Sequence, residues 1–214
     1  MSAYPVLEIE HLTKHTFRLR TGRPEILIRA GQCFNIGLPG VGINREYSMY
    51  SDANAPYLEF LVRSVKGGVV SPQLQRCRPG DFLEIDGPYG EFCLPEPVNS
   101  REAYLFVATG TGIGPFHSFC CTYPRLNYSL LHGVRTEQER YHAEHYRPNA
   151  YHSCVSRPNS GNSAYRVTDY LATHPISRDA MVYLCGNRRM ITDVSELLFQ
   201  EGISGDRIVT EVFF

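Results

Sequence analysis

Ala103-Tyr-Leu-Phe-Val-Ala-Thr-Gly-Thr-Gly-Ile-Gly-Pro115 decides the fold. Its first six residues carry no charge, so a strand made of them buries both faces and requires a sheet covered on both sides. Glycines at 110, 112 and 114 then make a tight turn that leads into a helix. In that order, strand, glycine turn and helix let backbone N–H groups approach a pyrophosphate at a helix N-terminus. Gly110, Thr111, Gly112 and Pro115 are therefore candidate dinucleotide contacts. A tight turn with no ligand is the ordinary structural alternative.

Downstream, the apolar runs Tyr128–Leu131, Tyr151–Val155 and Met181–Cys185 alternate with helix-like stretches near 115–122, 136–145, 167–173 and 188–200. Buried strands separated by helices predict an α/β doubly wound parallel sheet. Upstream the pattern differs. Val6–Leu12, Thr16–Arg20, Cys33–Gly37, Glu46–Tyr50, Tyr57–Arg63 and Phe82–Asp86 are short and rich in β-branched or aromatic residues, which predicts a six-stranded antiparallel β-barrel. Gly67-Gly68 and Pro79-Gly80-Asp81 read as turns, and Ser71-Pro72 as the N-cap and first residue of one short helix. The linker-like run Pro95-Glu-Pro-Val-Asn-Ser-Arg101 divides the chain into two domains, 1–97 and 98–214.

The 214 residues are 43% hydrophobic and 20% charged, which excludes disorder and fits two domains. A formal net charge of −1 argues against bulk nucleic-acid or anionic-membrane binding. Glu8 and Glu10 stand where a secretory signal needs an apolar core, and no window approaches a membrane span, so a cytoplasmic protein is expected. Seven cysteines without a CxxC pair suggest neither a zinc site nor an iron–sulfur cluster, and no metal is expected. Neighbouring Cys120 and Cys121 read as reduced thiols, and His142-x-x-His145 as a solvated helix face lacking a third ligand.

Five motifs in order carry a resemblance: Arg45-Glu-Tyr-Ser48, Gly68-Val-Val-Ser71, Gly110-Thr-Gly-Ile-Gly-Pro-Phe116, His132-Gly-Val-Arg135, and Cys185-Gly-Asn187 with Met190. Together they resemble the ferredoxin–NADP⁺ reductase superfamily over essentially the whole chain, most nearly its short bacterial members, which end in a Glu-x-aromatic-aromatic pattern like Glu211-Val-Phe-Phe214. The resemblance implies FAD on the barrel. Arg45 takes its diphosphate, Tyr47 lies against its ribityl and ring system, and Ser48 sits near flavin N5, with Glu46 between them. Gly68, Val69, Val70 and Ser71 form a second phosphate cradle, and Thr111 also borders FAD. Phe213 is placed against the isoalloxazine and Phe214 on the adenine as the chain end folds back, with Glu211 as the proton-handling carboxylate.

On the sheet the resemblance implies NADP(H), contacted by Gly110 to Pro115, by Cys185, Gly186, Asn187 and Met190, and by Arg135 and Thr136. Cys185 would border the nicotinamide without acting as a nucleophile. Arg157 and Arg166 match the pair of arginines that relatives use for the 2′-phosphate, but Tyr165 stands where the family usually has Gly before the second Arg. Each of these positions also has a plain reading, as a surface arginine or a buried strand-end thiol. Lys14, Thr16, Arg18 and Arg20 share one parity of their strand, so a basic face for docking an acidic carrier is expected, with a charged edge strand as the alternative.

The implied activity is electron exchange between NADP(H) and a ferredoxin or flavodoxin, with hydride passing between nicotinamide C4 and flavin N5 in a monomeric enzyme that binds FAD tightly but non-covalently. A free-flavin reductase and a non-enzymatic flavin-binding regulatory subunit are the alternatives. The sequence names neither the acceptor nor the direction of electron flow.

Overall fold

Alternating burial builds the first sheet in the computed structural model, which describes residues 2–158 and 163–213. Its strands are β1 (Ser2–His11), β2 (Thr16–Thr21), β3 (Cys33–Gly37), β4 (Asn44–Ser48), β5 (Leu58–Arg63) and β6 (Phe82–Tyr89). They pair antiparallel in the order β4-β3-β6-β1-β2-β5. A Met49–Phe60 bridge links the two ends of that row, and the Tyr50 N–H donates to the Glu59 carbonyl at 2.7 Å, so the sheet curls into the expected barrel. Phe17, Leu19, Phe34, Ile36 and Phe60 fill it and are wholly buried.

Two expectations for this half are corrected. Helix α1 (Ser71–Leu74) is capped by Val70 rather than Ser71, because the Ser71 hydroxyl accepts from the Val65 N–H at 3.1 Å. The face of β2 is not a free basic surface. Arg18 pairs with Glu8 and Glu10 at 3.0 Å and with Glu59 at 3.4 Å, while Arg20 pairs with Glu8 and Glu59 at 2.8 Å. Three carboxylates around two guanidiniums leave no positive excess, and only Lys14 of the expected docking residues is exposed.

The second sheet comprises β7 (Tyr104–Thr109), β8 (Tyr128–Val134), β9 (Tyr151–Val155), β10 (Met181–Asn187) and β11 (Ile208–Phe213). All are parallel, in the order β11-β10-β7-β8-β9. With helices α3 (Val167–Leu171) and α4 (Arg188–Gln200) it makes the predicted parallel α/β fold, and α2 (Gly114–Thr122) follows β7 in the chain. On one face Leu105, Val107, Leu131, Val182 and Leu184 pack with Val167 and Val194 from α3 and α4. On the other, the Phe106 ring lies 5.9–6.0 Å from those of Tyr104, Tyr128 and Tyr183.

By its contacts the chain groups into two compact units, residues 1–94 with 114–122, and 95–113 with 123–214. Helix α2 thus belongs with the barrel: the His117 ring stacks on Tyr50 at 3.8 Å, and Phe116 and Phe119 pack on Phe92. The helix expected over 136–145 is replaced by two 3₁₀ turns, Glu137–Glu139 and Ala143–His145. Tyr141 and Tyr146 are buried there, and left-handed His142 (φ 47°) breaks any continuous helix between the turns. Residues 208–213, given no element by the sequence, form the edge strand β11; Phe214 lies outside the described residues. Among the described residues no helix is long and apolar enough to cross a membrane, and no three potential metal ligands cluster.

Candidate functional site

Strand order reverses at β7, with β8 and β9 on one side and β10 and β11 on the other. Such a switch point opens a crevice at the carboxyl ends of the central strands. Here those ends are in contact. A Cβ on Gly112 would lie 2.5 Å from the Cys185 carbonyl oxygen, and one on Gly186 (φ +133°) would collide with the Thr109 hydroxyl. That hydroxyl accepts from the Asn187 N–H at 2.9 Å, and Asn187 Oδ1 accepts from the Arg189 N–H at 2.9 Å as the N-cap of α4. Gly112 and Gly186 therefore serve close packing. Gly110 differs: its φ is +54° and a Cβ there would meet nothing within 4 Å, so its open side faces the crevice.

Cys185 is wholly buried, its Sγ 3.8 Å from Glu211 Oε1. Burial first, and the carboxylate second, push its thiol well above the ordinary value, so it stays protonated at neutral pH. Met190 is corrected: it is buried in the core cluster beside Ile191 and Val194 and serves packing.

Three arginines follow the carboxyl ends of β8 and β9 on the same edge. The Arg157 N–H donates to the Arg135 carbonyl at 2.7 Å, and the Tyr165 N–H to the Val155 carbonyl at 2.9 Å. Arg166 follows as N-cap of α3, its N–H bonded to Asp169 at 2.7 Å. All three guanidiniums belong to exposed residues, and among the described residues none forms an ion pair. Thr136 adjoins them as the residue before the first 3₁₀ turn.

In the first unit, Arg45 and Glu46 are exposed, Tyr47 is half-buried and Ser48 is buried. Burial pushes the Tyr47 phenol up to about 12 while Arg45 pulls the other way, so the ring is neutral. Among the described residues, the Arg45 guanidinium is held only by the Asn44 carbonyl, at 2.7 Å. Among the described residues, the amides of Val69 and Val70 donate to no protein acceptor, and the first-turn amide of Ser71 has no partner within its helix. A free guanidinium, an aromatic ring and unpaired amides fit a cofactor that carries a diphosphate and a flat ring system.

The family profile described as Oxidoreductase FAD-binding domain matches residues 7–93, and that described as Oxidoreductase NAD-binding domain matches residues 106–196. The chain belongs to the ferredoxin–NADP⁺ reductase superfamily. Among its relatives, the reductase subunit of an Amycolatopsis aromatic O-demethylase is 33% identical over 64% of this chain and 43% of its own length. The toluate 1,2-dioxygenase electron transfer component of Pseudomonas putida is 30% identical over 86% of this chain and 58% of its own length, so the match spans about half of each relative. The crystal structure of an Amycolatopsis cytochrome P450 reductase superposes with a TM-score of 0.86 at 26% identity, covering 99% of this chain and 69% of that one. A ferredoxin NADP⁺ reductase from Neisseria gonorrhoeae with bound FAD and NADP shares the fold, with a TM-score of 0.86 at 24% identity over 100% of this chain and 98% of the other.

One pair at this edge has no role in the reading so far, although His132 opens the His132-Gly-Val-Arg135 motif. His132 is wholly buried, with Nδ1 3.0 Å from the Tyr151 hydroxyl and Nε2 2.9 Å from the Gly110 carbonyl. Sequence reading gave His132 no role and passed over Tyr151. The available signal was a lone polar ring between Leu131 and Gly133 in an otherwise apolar strand.

Proposed function

We propose that this chain is an NADP(H)-dependent FAD reductase that passes electrons to an acidic one-electron carrier, a ferredoxin or flavodoxin. The observation that carries the reading is that Arg135, Arg157 and Arg166, exposed and with no guanidinium ion pair among the described residues, follow the carboxyl ends of adjacent strands β8 and β9, on the sheet edge where β7 ends in the Gly110 turn. A phosphate on the adenosine 2′ position is what such guanidiniums bind and what NAD(H) lacks.

When bound, FAD would link the two-electron chemistry of nicotinamide to one-electron transfer. Arg45 and the amides of Val69, Val70 and Ser71 would hold its phosphates, with Tyr47 against its ring system and Phe213 as a further aromatic contact. Glu211 would be the proton-handling carboxylate, with the neutral Cys185 thiol beside it. The docking surface moves away from Arg18 and Arg20. Lys14, Lys66 and Arg76 are exposed, and the Gln75 side chain donates to the Lys14 carbonyl at 3.0 Å, which brings Lys14 to the end of α1 beside Arg76. Because relatives include oxygenase reductases, an oxygenase component is the second acceptor class.

Arg45→Ala tests the flavin assignment. Losing a charge-assisted phosphate contact should cost about 1.5–3 kcal/mol, a roughly 10- to 150-fold weaker hold on FAD. Full FAD occupancy after exhaustive dialysis would refute the role of Arg45.

A further inference from the structure

The buried His132 has both ring nitrogens engaged, one of them on the carbonyl of the Gly110 turn. The Gly110 carbonyl can only accept, so Nε2 carries the hydrogen. Burial lowers the affinity of this ring for a proton, with the Gly110 bond opposing, so the imidazole is neutral and Nδ1 must accept from the Tyr151 O–H. One tautomer is thereby fixed by a hydroxyl on the neighbouring strand. Tyr151 is itself held, its ring stacked on Tyr146 at 5.2 Å, and Tyr141 lies 6.1 Å from His132.

The consequence falls on one peptide plane. Gly110 opens a short 3₁₀ turn, Gly110–Ile113, at φ +54° with open space beside it, and its carbonyl orients the peptide that follows. In a trans peptide the carbonyl of one residue and the N–H of the next point in opposite directions. A Gly110 carbonyl drawn inward to His132 therefore turns the Thr111 N–H outward, and among the described residues that amide donates to no protein acceptor. We infer that His132, locked by Tyr151, is a positioning residue that pins the Gly110–Thr111 peptide so that the Thr111 amide meets an oxygen of the nicotinamide-side phosphate of the dinucleotide. The inference deepens the NADP(H) reading and rests on it.

The test uses FAD-loaded protein and calorimetric titration with NADP⁺ and, separately, with 2′-phospho-AMP, which occupies the arginine corner but lacks the nicotinamide half. His132→Phe keeps a ring and removes both hydrogen bonds. It should weaken NADP⁺ binding about 10-fold or more, the effect of losing a hydrogen bond to a charged group, while 2′-phospho-AMP binds as in the wild type. His132→Gln, whose amide can still donate to Gly110, should recover most of the NADP⁺ affinity. Tyr151→Phe leaves every ring carbon in place and guards against misfolding. It should raise the KM for NADPH more than it lowers kcat, and weaken NADP⁺ without affecting 2′-phospho-AMP. Wild-type NADP⁺ affinity in both His132→Phe and Tyr151→Phe, or equal weakening of both ligands, overturns the positioning role alone. Failure of wild-type protein to bind either ligand overturns the NADP(H) reading itself, and the positioning role with it.

Discussion

Arginines occupy two opposite settings in this molecule. On the barrel, Arg18 and Arg20 are enclosed by Glu8, Glu10 and the buried Glu59. At the edge of the parallel sheet, Arg135, Arg157 and Arg166 are exposed and, among the described residues, no carboxylate pairs with their guanidiniums; Glu139 and Asp169 accept from the backbone N–H groups of Arg135 and Arg166. A guanidinium always carries charge and presents five donors, so what faces it decides its role. Where carboxylates already face it, it holds strands together; where none does, an anionic ligand can supply the missing partner.

Removing one member of the enclosed group acts on stability. Glu59→Gln removes the one buried carboxylate that Arg18 and Arg20 share, leaving them the more exposed Glu8 and Glu10, and should cost about 1–3 kcal/mol of stability in urea unfolding. Arg157→Ala should stay within about 0.5 kcal/mol of the wild type. Equal losses would erase the contrast.

His132 belongs with the satisfied groups, and its signature is pH dependence. Burial lowers its pKa to about 4 from an ordinary 6.5. Between those values the unfolded chain takes up a proton that the folded chain refuses. Stability from this group is complete above pH 6.5 and falls as pH drops toward 4, by about 3 kcal/mol in total. His132→Gln should show a shallower acid loss than the wild type; identical slopes would mean that the ring is not held neutral.

The contrast was only half legible in the sequence. Strand parity placed Phe17 and Leu19 inside and Arg18 and Arg20 together outside, and both held. The glutamates that neutralise them come from β1 and β5, and cross-strand register is not written locally. The glycine turn, the barrel and the parallel sheet were readable because apolar runs and turn residues are local signals. Strand β11 was missed because pairing with β10 makes it a strand, and the region 136–145 was misread because Tyr141 and Tyr146 turn inward over the sheet instead of following a helical repeat.

Two smaller effects sharpen the other half of the comparison. Arg157→Ala should raise the KM for NADPH by roughly 10- to 150-fold, about 1.5–3 kcal/mol, and leave NADH kinetics nearly unchanged. Impairment of both nucleotides alike would remove the 2′-phosphate role. Charge reversal at Lys14 and Arg76 should slow reduction of an acidic carrier severalfold at low salt, with the difference shrinking as salt screens it, while reduction of ferricyanide stays constant. The same reversal at Arg18 and Arg20 would act mainly through stability.

Anaerobic addition of NADPH, and separately of NADH, to the FAD-loaded protein tests the central claim most directly. The account predicts that NADPH bleaches the visible flavin band rapidly at concentrations where NADH barely does so. Flavin that stays oxidised with NADPH, or responds equally to both nucleotides, would contradict it.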